Sequence, residues 1–130
     1  MNDHQAREFV EAVYRDIWAA QDLSKFDHYY HPELFFLCYQ PDGGEAELDY
    51  QMVKNHAHHA AKERKEAVTN FEEVYAVHEH EIIARFHQRS VYLVNGHVLN
   101  LRTVFKYQLK EGKIYRGWAF FNMHVPFKTK

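Results

Sequence analysis

The stretch "EGKIYRGWAFFN", Glu111–Asn122, decides how the rest of this sequence is read. It opens on a Glu-Gly pair, a turn signal, and runs on as an aromatic-rich strand. A three-residue Lys110-Glu111-Gly112 loop, with Gly112 in the left-handed conformation, pairs Phe105 with Gly117. Ala119, Phe121 and Met123 then share the face of Phe105, whereas Arg116, Trp118 and Phe120 point the other way. A two-residue Glu111-Gly112 loop reverses that facing, so both arrangements stay open at this stage.

Working backwards, Asn95-Gly96 is a hairpin signal between two alternating runs, "EIIARFHQRSVYLV" and "HVLNLRTVFKYQL". As a two-residue turn it pairs Val94 with His97 and Phe86 with Phe105. One face then carries Ile82, Ala84, Phe86, Leu99, Leu101, Thr103, Phe105 and Tyr107. This is the expected core face, and the opposite one holds Arg85, Arg102, Val104 and Lys106. Earlier still lies "VTNFEEVYAV", a further strand.

The first part of the chain reads differently. Phe9, Val10, Val13, Tyr14, Ile17 and Trp18 recur at helical spacing after the potential caps Asn2 and Asp3, which predicts an amphipathic helix to about Ala20. "DLSKFDHYYHP" reads as a short helical turn ended at Pro32. "ELFFLCYQ" is a strand stopped by "PDGG". A second helix is expected from about Glu45 to Lys65, its stripe of Leu48, Met52, Val53, Ala57 and Ala60 placing His56 among apolar residues.

A chain of 130 residues with 46% hydrophobic and 16% aromatic content is expected to form one domain, residues 1–130, with one core. Its single cysteine, Cys38, excludes an internal disulfide and points to a reducing, cytoplasmic setting. The charged N-terminus lacks an apolar signal core, and the longest apolar run, "LFFLCY", is too short to cross a bilayer. The net charge of -2 hides an asymmetry: 17 acids against 7 Lys/Arg up to Glu81, then one acid, Glu111, against 9 Lys/Arg. These halves are read as pairing with each other, or with a twin subunit, rather than as a nucleic-acid face.

Helices followed by a twisted antiparallel sheet, with "YYHPELFF" and "EGKI…W" in these places, resemble the nuclear transport factor 2-like superfamily. Within it the chain looks most like the SnoaL-like polyketide cyclase and ketosteroid isomerase branch. The resemblance implies an α+β, cystatin-like cone, with N-terminal helices packed on a strongly curved antiparallel sheet around a pocket. In the isomerases a carboxylate base works beside a tyrosine and a protonated acid. Anchored on "DLS", the family's tyrosine falls on Tyr14, its base on Cys38 and its hydrogen-bonding acid near Thr103. In the cyclases a carboxylate follows the strand tryptophan, and here Trp118 is followed by Ala119. Neither acid-base set survives.

Two replacements for the missing base present themselves. A lone buried cysteine such as Cys38 is ordinarily an inert small hydrophobe. A histidine on an apolar helix face titrates near neutrality, so His56 is the catalytic candidate, with Tyr14 polarising a ligand oxygen. The competing reading makes His56 a core residue bonded to a backbone carbonyl. His56, His59 and Glu63 share a helical side at a spacing zinc accepts, but with no third fixed ligand they are read as solvated, and no metal or cofactor is assigned. "HEHE", His78–Glu81, reads as a polar connection between strands.

The expectation is therefore a small apolar molecule held between Tyr14, Trp18, Phe36, Cys38, Met52, His56, Thr103, Phe105, Ala119 and Phe121, with isomerase or lyase chemistry open. A homodimer through Val98, Val104, Trp118 and Phe120 on the outer sheet face is expected as well, with neither nucleic acid nor a membrane as partner. The alternative is a non-catalytic dimeric interaction module whose aromatic side chains have closed the pocket.

Overall fold

The first helix is set by its ends. Asn2 accepts a hydrogen bond from the Gln5 backbone N–H at 2.8 Å, and the Gln5 side chain accepts from the Asn2 N–H at 2.9 Å. This reciprocal cap starts α1, Asp3–Val13. The chain then widens into a π-helical turn, Tyr14–Ala19, and stops where Gln21 takes a φ of 60°. Val10, Val13 and Ile17 are fully buried, and each such side chain contributes roughly 1.5–3 kcal/mol. In this computed structural model, residues 1–40 and 42–122 are described.

A turn at Leu23–Lys25 and the short α2, Phe26–Tyr29, lead into β1, Tyr30–Tyr39. The strand therefore begins before Pro32, which was expected to end a helical turn. After it come β2 (Glu45–Asp49), α3 (Tyr50–Glu63), β3 (Arg64–Val77), β4 (Glu81–Tyr92), β5 (Val98–Lys110) and β6 (Lys113–Asn122). The strands form one curved sheet in the order β2-β1-β6-β5-β4-β3, parallel only between β1 and β6, with the helices packed against it. This is the α+β cone that the resemblance implied.

The second helix starts later than its stripe suggested. "EAELD" has period two, with Ala46 and Leu48 turned inward and Glu45, Glu47 and Asp49 exposed, so it pairs as an edge strand on β1. Asp49 then caps α3 by accepting from the Met52 N–H at 2.9 Å. Only Val53 and Ala57 of α3 are fully buried. Met52 is 47% exposed and His56 is exposed too, so the helix presents a narrower apolar stripe than the sequence indicated.

Both hairpins differ in register from the sequence reading while keeping its faces. Between β4 and β5 the loop is longer than two residues: Val91 pairs with Val98, and Phe86 pairs with Thr103 rather than Phe105. Asn95 accepts from the His97 N–H at 2.9 Å, and of the Asn-Gly pair only Gly96 takes positive φ, whereas a two-residue I′ turn needs both. The shift is two residues, so every side chain keeps its face.

Between β5 and β6 the turn is the two-residue form, with Glu111 and Gly112 at φ 56° and 74° and Lys110 paired with Lys113. On its own that turn would reverse β6. A bulge between Gln108 and Leu109 shifts the register by one and restores the facing, pairing Phe105 with Ala119. Ala119 is consequently buried, while Trp118 lies beside Lys106, whose Nζ stands 5.2 Å from the ring centroid. Met123, expected on the inner face, lies outside the described residues.

The charge asymmetry resolves within the chain. Glu72 pairs with Arg102 at 2.7 Å, Glu73 with Arg85 at 3.7 Å and Glu81 with Lys106 at 2.8 Å. Arg116 donates to the Glu33 carbonyl at 2.9 Å. The halves were expected to pair with each other or with a twin subunit, and these four cations find acceptors within the chain.

Gly117 allows β6 to pass beneath Phe36, its register partner on β1: a Cβ there would lie 2.3 Å from Phe36 Cε1. Gly117→Ala must displace a ring of the cavity wall, and overpacking of this kind costs about 1–3 kcal/mol. Urea denaturation is expected to show that loss, and an unchanged midpoint would contradict the packing described.

Candidate functional site

The inner face of the sheet, the π-helical turn and α3 enclose a cavity of about 350 Å³. Its existence overturns the reading in which aromatic side chains close the pocket: Phe36, Phe86, Phe105 and Phe121 form walls around open space. Alternation on the strands aims these residues inward. Cys38 and Gln40 follow Phe36 at steps of two, Gln88 follows Phe86, and Leu101, Thr103 and Tyr107 flank Phe105.

The π-helical turn brings Tyr14 and Trp18 to the same wall, their rings stacked at 6.1 Å. Tyr14 also lies 4.9 Å from the ring of Phe86 and 6.4 Å from that of Phe105. Trp18 Nε1 donates to the Tyr30 hydroxyl at 3.1 Å. The Tyr30 O–H is thereby left free to donate elsewhere.

Three tyrosines, Tyr14, Tyr30 and Tyr107, therefore share this cavity wall. Burial raises the pKa of each well above the ordinary phenol value, because a phenolate there would lose its hydration. The hydroxyls also influence one another. Tyr14 and Tyr107 interact side chain to side chain, although burial is the larger influence on each. At neutral pH the cluster is a set of protonated phenols on the cavity wall. Burial likewise raises the Cys38 thiol, which stays protonated and apolar in character.

The cavity is uneven in polarity. One end is phenolic and aromatic, and the other carries Gln40, His56, Arg64 and Gln88. His56 stands at this rim rather than in the core, as its exposure shows. Lost hydration on the cavity side, and secondarily Arg64, lower its pKa, so the imidazole is neutral at pH 7. No Asp or Glu lines the cavity among the described residues. Nor do three or more His, Cys, Asp or Glu side chains gather there as metal ligands.

Of the residues singled out from sequence, Tyr14, Trp18, Phe36, Cys38, His56, Thr103, Phe105, Ala119 and Phe121 meet at this cavity. Met52 does not. It precedes the buried Val53 and projects outward from α3, so its side chain cannot reach the cavity that Val53 lines. Sequence reasoning missed Tyr30, hidden in a stretch read as a helical turn. It placed Tyr107 on the inner face without giving it a role, although Tyr107 follows Phe105 by the same alternation. Arg64 and Gln88 were also missed. The former sits where α3 passes into β3, a boundary the sequence does not mark.

No family model matches the chain, and no curated protein matches it in sequence. Solved structures do match in shape. AclR of Streptomyces galilaeus, assigned as a hydroxylase, superposes with a TM-score of 0.75 at 15% identity, covering 95% of this chain and 92% of that one. IdmH of Streptomyces antibioticus, assigned as a polyketide cyclase, gives 0.74 at 11% identity, with coverage of 92% and 93%. An LEH-like epoxide hydrolase of M. tuberculosis gives 0.70 at 9% identity, with coverage of 92% and 84%. All three have the nuclear transport factor 2-like fold, as this chain does. At such identities the likeness is one of architecture.

The Thr103 hydroxyl is buried on the cavity wall with no hydrogen-bond partner among the described residues. An unsatisfied buried group costs about 1–3 kcal/mol, and the isosteric Thr103→Val removes it. The ligand-free variant is expected to be as stable as the parent or more so by thermal unfolding. A large loss of stability would show that the hydroxyl is already satisfied.

Proposed function

We propose that this chain binds a small, largely apolar molecule carrying a carbonyl or phenolic oxygen, and that it acts on it as an isomerase or lyase. The supporting observation is the cavity itself, apolar along most of its wall, with protonated tyrosine hydroxyls at one end and no carboxylate among its described lining residues. Tyr14 donates to the ligand oxygen, where developing negative charge strengthens the bond. His56, neutral at pH 7 and on the same cavity, removes a proton from the carbon beside that oxygen function. Return of the proton to another carbon gives isomerisation, and loss of a leaving group gives elimination. The likeness to structures assigned as polyketide cyclases, an epoxide hydrolase and a hydroxylase supports a pocket for small organic molecules.

Binding is tested by calorimetry with a bicyclic aromatic ketone such as 2-tetralone. Tyr14→Phe is expected to weaken a saturable, one-to-one interaction several-fold, and unaltered affinity would remove Tyr14 from the site. Enolisation of the same ketone, followed by deuterium exchange at its α-carbon, tests the chemistry. His56→Ala is expected to lower the exchange rate by about 10² to 10⁴-fold while the melting temperature holds. Because the His56 pKa is lowered from the ordinary 6.5, exchange should persist as pH falls through 6.5 and decline only below it. A rate already halved above pH 7 would contradict His56 as the base.

A homodimer through the outer sheet face belongs to the same proposal. Phe35, Val104 and Phe120 are 38%, 42% and 49% exposed, and Phe120 stacks on Tyr39 at 4.8 Å, an apolar and aromatic outer face that no helix of the described residues covers. With the neighbouring cations already paired within the chain, the attraction is apolar. Val104→Asp is expected to convert a dimer mass in light scattering to a monomer mass, and a parent protein that is monomeric at micromolar concentration would refute it.

A further inference from the structure

Beside the cavity mouth lies a second, smaller hollow of about 60 Å³, walled by the same Trp18, Arg64 and Gln88 and closed by Lys65 and Ser90. Its chemistry is the opposite of the main cavity's. Arg64 is half-buried, and no carboxylate of the described residues stands within 4 Å of it, whereas Arg7, Arg15, Arg85 and Arg102 each have one. The Ser90 hydroxyl lies in the wall with the residue 1% exposed, and no partner among the described residues takes its hydrogen bond. Gln88 donates through Nε2 to Thr69 Oγ1 at 3.1 Å, which fixes its amide against this hollow.

A half-buried guanidinium without a counter-charge, next to an unsatisfied buried hydroxyl, lacks an acceptor on both counts. We propose that this annex holds a carboxylate of the ligand whose apolar body fills the main cavity. A carboxylate accepts two parallel N–H bonds from a guanidinium and has lone pairs left for a hydroxyl donor. The annex is too small for a ring, and it shares Trp18, Arg64 and Gln88 with the wall of the main cavity. The ligand class is thus an amphipathic organic acid: a fused or aromatic apolar body, an oxygen near Tyr14 and a carboxylate at Arg64 and Ser90. This assignment rests on the proposed binding role of the main cavity and adds the charged end of its ligand.

The test compares 2-naphthoate with its uncharged methyl ester, followed by Trp18 fluorescence or calorimetry. The parent protein is expected to bind the acid at least tenfold more tightly than the ester. Arg64→Gln should abolish that preference by weakening the acid far more than the ester, and Ser90→Ala should reduce it in part. Equal affinity for acid and ester in the parent, or an equal loss for both in Arg64→Gln, would overturn the carboxylate assignment and leave the apolar cavity standing. Binding of neither compound at millimolar concentration would overturn the cavity reading and this assignment with it.

Discussion

The facing of β6 is the constraint on which the rest of this structure depends. The strand is paired on both sides, parallel to β1 and antiparallel to β5, so a one-residue slip would turn Trp118 and Phe120 into the cavity and carry Ala119 and Phe121 out. Two local features with opposite effects fix it. The tight Glu111-Gly112 turn sets one parity, and the bulge at Gln108 and Leu109 inverts it. With Ala119 inward, β6 contributes a small side chain where the neighbouring strands contribute rings, and Gly117 lets the Phe36 ring lie across it. Open space at this point follows from small residues on the central strand, surrounded by large ones that cannot collapse onto them.

Around that space the electrostatics are those of donors rather than acids. Burial keeps the phenols of Tyr14, Tyr30 and Tyr107 and the thiol of Cys38 protonated, so the inner end offers hydrogen bonds without carrying charge. The guanidinium of Arg64 and the imidazole of His56 stand at the rim. Under the proposed function, a site built this way favours a ligand whose oxygen becomes more negative during reaction. In the proposed function, proton abstraction is left to a neutral imidazole at the rim, since no carboxylate lines the cavity among the described residues.

Much of this was legible in the sequence, because it rests on alternation. The inner faces of β4 and β5 followed from Ile82, Ala84, Phe86 and Phe105, Tyr107, and they survived a register error of two residues because facing depends only on parity. The facing of β6 came out as the three-residue loop had it, but through a different turn and a bulge. Bulges leave little trace in sequence, since the extra residue need not be unusual. The β2 strand was absorbed into the second helix because Leu48 fits both periods, and only the Asp49 cap separates them. His56 was placed among apolar residues on a stripe too wide by Met52. The tyrosine cluster escaped because Tyr14, Tyr30 and Tyr107 come from three elements whose meeting is a property of the closed cone. A sequence without related sequences beside it does not show that.

The cavity as the binding site is the central claim, and intermolecular nuclear Overhauser effects test it most directly. With aromatic side chains of the protein isotopically labelled and 2-tetralone bound, the ligand protons are expected to show contacts to the rings of Phe86, Phe105 and Phe121. Saturable binding with contacts only to Phe35, Tyr39 and Phe120 would place the ligand on the outer sheet face and contradict the account, as would the absence of saturable binding.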